Sequence, residues 1–560
     1  MELSEILLVL AAVIVIIAVV TVYARKSASE KLTATVTKSF GKQPDKTYSA
    51  EKFSSIGYYH NKFKDKADFS IDDITWNDLS MDNIYMILNG AYSSMGEEYL
   101  YHLLRTPAVS KEELAKREEL IQLFSNDRDF RLKTCRPLAE AGIINKISLY
   151  EYVDRLNDLK EESNAIHIEQ FALFIASFVS IFFYPPIGVF ATIIMFFINV
   201  CTYFKRKSEI EKYYTVVAYI MRSLETAKKI CAVDNPVLQA QIPGLKETTS
   251  KLISITKGGS LVVSKKNAGD IIEVLMDYIR MATHIDLIRF NRMLSKLKKK
   301  QDEFTHIFET LGYIDSMCSI ASFRKFFDFH CIPEFTDSNK EISFEDIYHP
   351  LIENPVLNSF STEKSVLITG SNASGKSTFI KTVAINSILA QTINTAMAKS
   401  FRSSFFRCMS SMALKDNLFN GESYYIVEIK SLKRICNAIN KDVPLLVFVD
   451  EVLRGTNTLE RIAASSRILN YLGSTNTITF AATHDIELTY ILEKSYLQYH
   501  FEEKVTDNDV KFDYKIHEGR AVSRNAIKLL RVLGFNEDIV KDAENSVDSF
   551  IANNEWKVIE

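Results

Sequence analysis

The stretch that decides the fold runs from Val366 to Ser377 and reads Val-Leu-Ile-Thr-Gly-Ser-Asn-Ala-Ser-Gly-Lys-Ser. Its first four residues are apolar or β-branched and predict a buried strand, and Thr378 to Gln391 predicts a helix. The loop between them is G-x-x-x-x-G-K-S, whose glycines let successive backbone N–H groups turn toward one anion at the helix N-terminus. Strand, loop and helix together predict a nucleotide-phosphate site in an α/β domain.

This loop supplies the candidate ligands of ATP and Mg²⁺, the two cofactors that we expect. Lys376 would bring a cation to the β- and γ-phosphates, and Ser377 would offer its hydroxyl to the metal. The predicted nucleotide-binding residues of the segment are Gly370, Ser371, Asn372, Ala373, Ser374, Gly375, Lys376, Ser377 and Thr378.

Two further apolar strands end in polar side chains. Residues 444–449 lead into Asp450 and Glu451, and residues 478–482 lead into Thr483 and His484. Carboxyl ends of parallel strands meet at one edge of a sheet, so we expect these side chains beside the phosphate loop. Asp450 is predicted to hold Mg²⁺ and Glu451 to polarise the attacking water as general base. His484 is placed to sense the γ-phosphate, which makes Glu451, Lys376 and His484 the predicted catalytic residues.

The motifs resemble those of the MutS family of ABC-type ATPases, which serve DNA mismatch repair and recombination. The family's loop reads close to T-G-P-N-M-G-G-K-S-T, against Thr369–Thr378 here, and its D-E-x-x-R-G-T matches Asp450–Thr456. Thr483-His484 matches its switch, and Leu311–Asp315 and the start of a helical lever near Tyr92–Leu100 also fit. The resemblance implies an α/β P-loop ATPase domain at the C-terminus, preceded by an all-α lever domain.

The same resemblance implies a homodimer formed through the ATPase domains. The segment around Asp416–Leu418 and Gly421–Tyr424, with Glu428, looks like the family's inter-subunit signature, which places Ser423 at the partner's nucleotide. Tyr514 is the candidate adenine contact.

The main departures from the family pattern lie in the features with which the family reads mismatched DNA. The family's mismatch-reading domain carries Phe-x-Glu, and no Phe-x-Glu occurs here before the ATPase segment. A net charge of −3 gives no sign of a strongly basic nucleic-acid binder. We therefore expect a branch without the mismatch-recognition domain, in which any DNA binding has no mismatch specificity. Ala373 and Ser374 replace the usual Met and Gly of the loop.

Two uncharged apolar runs predict membrane segments. Ile6–Ala24 has 19 residues, long enough for one span, and Arg25 and Lys26 follow it. Positive charge after the span predicts a cytoplasmic chain with the N-terminus outside. Glu2 and Glu5 argue against the alternative of a cleaved signal peptide.

The second run, Phe171–Phe204, contains Pro185-Pro186 and is followed by three basic residues. It predicts a hairpin with its turn at Tyr184–Gly188, spanning or re-entrant, against the alternative of a buried soluble hairpin.

The predicted organisation has four parts. Residues 1–26 are a transmembrane anchor, 27–75 a polar tether, 76–335 a helical lever domain interrupted by the apolar hairpin at 170–204, and 336–560 the ATPase domain. Seven scattered cysteines without a Cys-x-x-Cys support neither a zinc site nor a disulfide framework.

Two functions stay open at this point. One is a membrane-anchored MutS-like ATPase that hydrolyses ATP as a dimer and moves its levers, with DNA as cargo. The other is an ATP-driven regulatory or mechanical membrane protein that no longer binds DNA.

Overall fold

The computed structural model describes residues 19–20, 22–23, 26–145, 147–159, 162–256, 271–337, 340–371, 374–412, 424–440, 442–506, 509–521, 526–532, 534–553, 555–556 and 558–559. Nearly all of the predicted N-terminal span at 6–24 lies outside these residues, as do Asn372, Ala373 and Ser423.

The first part of the chain is helical. Its α-helices are α1 (Ala50–Phe63), α2 (Asp73–Asp78), α3 (Met81–Leu88), α4 (Ser94–Arg105), α5 (Lys111–Asn126), α6 (Arg128–Ala141), α7 (Leu149–Arg155), α8 (Ala165–Ser180), α9 (Pro185–Cys231), α10 (Pro236–Gln241), α11 (Leu245–Thr256), α12 (Ile271–Thr283), α13 (Ile285–Lys298) and α14 (Gln301–Phe326).

Strands and helices alternate after residue 333. They are β1 (Glu334–Thr336), β2 (Ile342–Ile347), β3 (Asn358–Thr362), β4 (Val366–Thr369), α15 (Lys376–Ile393), β5 (Ser400–Ser404), β6 (Arg407–Ser411), α16 (Tyr424–Ala438), β7 (Leu445–Asp450), α17 (Thr458–Gly473), β8 (Thr477–Ala482), α18 (Ile486–Ile491), β9 (Leu497–Thr506), β10 (Asp509–Glu518), α19 (Ala526–Val532) and α20 (Glu537–Asn553).

The chain divides into two compact units. The helical unit comprises residues 1–63, 86–102 and 116–326, and the α/β unit comprises 64–85, 103–115 and 327–560. The boundary differs from the predicted one at 335/336, because 64–85 and 103–115 belong to the α/β unit. The reason is visible at the edge strand β6, where Asp78 accepts hydrogen bonds from Ser410 Oγ (2.7 Å) and Met412 N (2.9 Å). Helix α2 thus covers a sheet edge that would otherwise be open.

The helical unit is built around α14, which is buried along most of its length. Tyr59 of α1 and Tyr150 of α7 pack on Phe308 of α14, with ring centroids about 5 Å apart. The predicted irregular tether at 27–75 is corrected here, because residues 26–39 and Ala50–Phe63 are helical. The polar residues of α1 cover one face, whereas Ile56 and Tyr59 are buried on the other.

The apolar hairpin consists of α8 and the first part of α9. Its turn lies at 181–184, earlier than the predicted Tyr184–Gly188, and Pro185 and Pro186 begin the second helix. A first-turn position suits proline because its missing N–H would have no helical partner there. Within the described residues α9 is the one helix long and apolar enough to cross a membrane, and only 17% of its most apolar window is buried.

The described residues of the α/β unit form two sheets. The larger has the order β10-β9-β4-β8-β7-β6, parallel except for the antiparallel pair β9–β10, and the smaller has the order β1-β5-β2-β3. Helix α15 packs against β6, β7 and β8, and every residue of it after Lys381 is buried. The α/β and helical parts of the predicted fold class are confirmed.

Candidate nucleotide site

Three neighbouring strands of the larger sheet bring the predicted motifs together. β8 lies between β4 and β7, with Ile368 and Asp450 both in register with Ala482. Thr483 N donates to Ile368 O (3.0 Å), and Glu451 N donates to Ala482 O (2.9 Å). The phosphate loop, the two carboxylates and the Thr-His pair therefore share the carboxyl edge of one sheet, as the sequence predicts.

The described part of the phosphate loop needs glycine at two positions. Gly370 has φ +146°, and a Cβ there would lie 2.8 Å from Phe501 O. Gly375 has φ +109° and a Cβ would lie 3.1 Å from the Tyr514 ring. Side chains would strain the backbone at both positions, collide with β9 at Gly370 and crowd the Tyr514 ring at Gly375. Ser374 Oγ is buried without a hydrogen-bond partner among the described residues, so it is free to donate to an anion in the loop.

Lys376 opens α15 and is turned back onto its own loop. Its Nζ donates to Gly370 O (2.8 Å) and Ser371 O (2.7 Å) and lies 3.5 Å from His484 Nε2. Burial lowers the pKa of Lys376 to about 8, although the nearby Asp450 and Glu451 oppose this shift. The ammonium group thus occupies the place where a phosphate would be expected to bind.

Glu451 follows β7 and has a left-handed backbone with φ +57°. Its Oε1 lies 2.9 Å from His484 Nε2, and its Oε2 pairs with Arg454. Burial alone would raise the pKa of Glu451, but the hydrogen bonds from His484 and Arg454 outweigh it and lower the pKa below its ordinary value. The carboxylate is therefore ionised at neutral pH, as a general base requires.

The residues predicted to hold Mg²⁺ fit a hard cation. Asp450 Oδ1 is buried without a hydrogen-bond partner among the described residues, at the end of the strand beside the loop. Ser377, in the first turn of α15, is half-buried. An unpartnered carboxylate oxygen and a hydroxyl are ligands that Mg²⁺ prefers.

A cavity of about 370 Å³ opens beside the loop, large enough for a purine base. Tyr514, Gly375 and Thr378 line one part of it, and its apolar walls include Ile352, Val356 and Phe379. Tyr514 is 44% exposed, so part of its side chain is accessible from the cavity. The predicted adenine contact therefore lies in a cavity of suitable size.

Comparison with known proteins gives one family. The family model of MutS domain V matches residues 366–551. The chain is thus similar to the MutS family over residues 366–551. It is 28% identical over 289 residues to a DNA mismatch repair protein MutS of Leptospira interrogans, covering 49% of this chain and 34% of the relative. It is also 28% identical over 291 residues to the human MutS protein homolog 4, covering 49% and 30%.

A third relative is the DNA mismatch repair protein MutS of Aquifex pyrophilus, 31% identical over 215 residues, which is 36% of this chain and 25% of the relative. The matches thus span about a third or less of these relatives' lengths.

Several residues that hold the site have no motif in the sequence. Asn358 fixes the Tyr514 backbone, because its amide donates to Tyr514 O (3.0 Å) and its Oδ1 accepts from Ile516 N (3.0 Å). Arg461 binds Asp485 through two hydrogen bonds of 2.9 and 2.6 Å, beside His484. Polar contacts between distant segments leave no spacing signal, so the sequence alone could not reveal them.

Glu428 was assigned to the inter-subunit signature from the resemblance. In the structure its buried carboxylate accepts from Leu453 N of the same chain, where Leu453 has φ +60°. Burial raises the pKa of Glu428. It therefore holds the turn after Glu451 within one subunit.

Proposed function

We propose that this protein is a MutS-like, membrane-anchored ATPase that binds ATP with Mg²⁺ and hydrolyses it as a dimer. The observation that carries the proposal is the meeting of Lys376, Asp450, Glu451 and His484 at the ends of three adjacent strands. These four side chains support the proposal because together they offer the cation, the metal ligand, the general base and the γ-phosphate contact that hydrolysis needs.

The residues would act in order. Lys376 exchanges the carbonyl oxygens of Gly370 and Ser371 for phosphate oxygens, which restores full charge to a buried ammonium group. Glu451 accepts a proton from the attacking water, and His484, beside both Glu451 and Lys376, is placed to detect the γ-phosphate. Mg²⁺, held by Asp450 and Ser377, would supply charge neutralisation at the phosphates.

The dimer is proposed from the resemblance. In this arrangement Ser423 of one subunit would complete the nucleotide site of the other, and closure of two such sites would move the helical unit. Hydrolysis should then rise more steeply than linearly with protein concentration in the range where subunits associate.

The membrane is proposed as the partner of the apolar hairpin. Phe182, Phe183, Phe190 and Phe197 are each at least 68% exposed, which is costly in water and favourable in lipid. Lys205–Lys207 would then mark the cytoplasmic boundary, with the chain's N-terminus outside.

A second candidate function is an ATP-driven regulatory or mechanical membrane protein that does not bind DNA. The absence of Phe-x-Glu before the ATPase segment and the net charge of −3 favour it. Since the chain spans only part of its curated relatives, their mismatch-repair activity is not transferred to it as a whole.

Nucleotide turnover by the full chain in detergent tests the proposed activity. Lys376→Ala should abolish ATP binding, because no other cation replaces the ammonium group in the loop. Glu451→Gln should keep binding, accumulate as a dimer and slow hydrolysis by roughly 10²–10⁴-fold. The matched control is Glu460→Gln, a nearby exposed glutamate on α17. Wild-type turnover by Glu451→Gln would refute the assigned base.

Cysteine labelling of whole cells tests the topology. A single cysteine at position 2 should react from outside, and cysteines at positions 207 and 400 only after permeabilisation. Outside labelling at 207 would invert the proposed orientation.

A further inference from the structure

An acidic side chain reaches the phosphate loop from β9. β4 pairs in parallel with β9 up to Thr369 opposite His500, and β9 then continues past the end of β4. Alternate residues of a strand face the same side, so Phe501 and Glu503 both face the loop whereas Glu502 points away. Glu503 is only 7% exposed, and Glu502 is exposed and paired with His500.

Glu503 is fixed on the loop by a hydrogen bond. Ser371 Oγ donates to Glu503 Oε2 at 2.5 Å, and Glu503 interacts with the Lys376 ammonium together with Asp450 and Glu451. Asp450 and Glu451 have roles in the proposed mechanism, but Glu503 has none. A loop shaped to bind an anion thus has a buried carboxylate beside it.

We propose that Glu503 makes this site select magnesium-complexed nucleotide against free nucleotide. The inference rests on the proposed ATP binding. Free ATP carries about two more negative charges than its magnesium complex, so a fixed buried carboxylate repels the free form more strongly. Low exposure reduces screening by solvent and salt, which makes this one charge effective.

The selectivity is measured as the ratio of two dissociation constants of a non-hydrolysable ATP analogue, one with excess chelator and one with excess Mg²⁺. The full chain in detergent is used at fixed ionic strength. Glu503→Gln should lower this ratio by at least about tenfold, mainly by tightening the binding of the free analogue. Ser371→Ala, which releases the carboxylate from its anchor, should change the ratio in the same direction by less.

Glu502→Gln is the matched control, because it removes the same charge from the same strand on the opposite face and should leave the ratio unchanged. An unchanged ratio in folded Glu503→Gln, or an equal change in Glu502→Gln, would overturn the inference. If Glu503→Gln fails to fold, the Ser371→Ala ratio decides, and no change there would also overturn it. Absence of analogue binding by the wild type under both conditions would instead refute the proposed ATP binding.

Discussion

Helix α15 and the first part of α9 are both rich in apolar residues but have opposite surroundings. All of α15 after Lys381 is buried, whereas Phe190 and Phe197 of α9 are each 68% exposed. The polar side chains of α15 bind neighbouring backbone, as when Gln391 exchanges two hydrogen bonds with Phe406 (2.8 and 2.6 Å). A high share of apolar residues is therefore compatible with either surrounding. Polar side chains that bind neighbouring backbone hold α15 in the core. The lipid-facing hairpin that we propose needs few such contacts.

The largest expected effect comes from placing a charged side chain on each of the two helices and comparing the loss of stability. Ile388→Asp in α15 should abolish the folded α/β unit, because an unpaired charge in a core costs several kcal/mol. Ile193→Asp in α9, where the side chain is 61% exposed, should leave ATP binding in detergent intact but reduce membrane insertion by about 2.5–3.5 kcal/mol. Thermal melts measure the loss of the folded α/β unit, and membrane fractionation measures the loss of membrane insertion. Equal destabilisation in detergent would favour a buried soluble hairpin.

The two regions can also be compared at one glycine each, where an added Cβ would lie too close to neighbouring backbone. A Cβ on Gly188 would lie 2.4 Å from Ile181 N in the hairpin, and one on Gly370 would lie 2.8 Å from Phe501 O beside the phosphate loop. Gly188→Ala should destabilise the hairpin by about 1–3 kcal/mol with normal ATP affinity. Gly370→Ala should weaken ATP binding at least tenfold. Gly57→Ala is the control, since its Cβ would make an ordinary 3.5 Å contact.

The two helices also differ in sensitivity to pH, because α15 begins with a buried ammonium group. The lowered pKa of Lys376, about 8, means that the free protein loses this proton as the pH rises above 8. Phosphate binding restores the proton, so ATP affinity should fall up to tenfold per pH unit above 8. Calorimetric titrations between pH 7 and 9.5 test this. An affinity that is flat up to pH 9.5 would contradict it, and membrane association through α9 should not change over the same range.

The smallest expected effect is the difference in affinity between matched and mismatched DNA, and it concerns the helical unit outside the hairpin. The basic run at 296–300 is partly engaged, because Lys298 and Lys300 donate to the backbone carbonyls of Leu159 and Lys251. Contacts to phosphates do not read sequence, so matched and mismatched duplexes should bind within about two- to threefold. Binding measured at two salt concentrations tests this. A preference above about tenfold, or about 1.4 kcal/mol, would require a base-reading element.

Local signals predicted much of the candidate site. An apolar run meets glycine and lysine where β4 leads into α15, acidic residues at the end of β7, and Thr483-His484 at the end of β8. The adenine side was harder to predict. Tyr514 reaches the cavity through a register shift between β9 and β10 and a left-handed backbone, and Asn358 holds it from 156 residues away. Such long-range contacts leave no periodic pattern in the sequence.

The fold outside the site was predicted less completely. The tether was expected to be irregular because it is polar, but a polar face suffices for a helix whose other face is buried. Assignment of residues 64–85 to the α/β unit depends on Asp78 meeting β6, more than 300 residues away along the chain.

Helix α9 is a single element of 47 residues, and beyond Gly188 it contains neither glycine nor proline. Its length is about 70 Å, and its last third is embedded in the packed interior of the helical unit. A helix without glycine or proline in its interior resists bending. A tilt of about 10° at one end therefore displaces the other end by about 12 Å. We expect a displacement of either end of α9 to move the other end. Tension or thickness changes in the bilayer should therefore alter the packing around its embedded end.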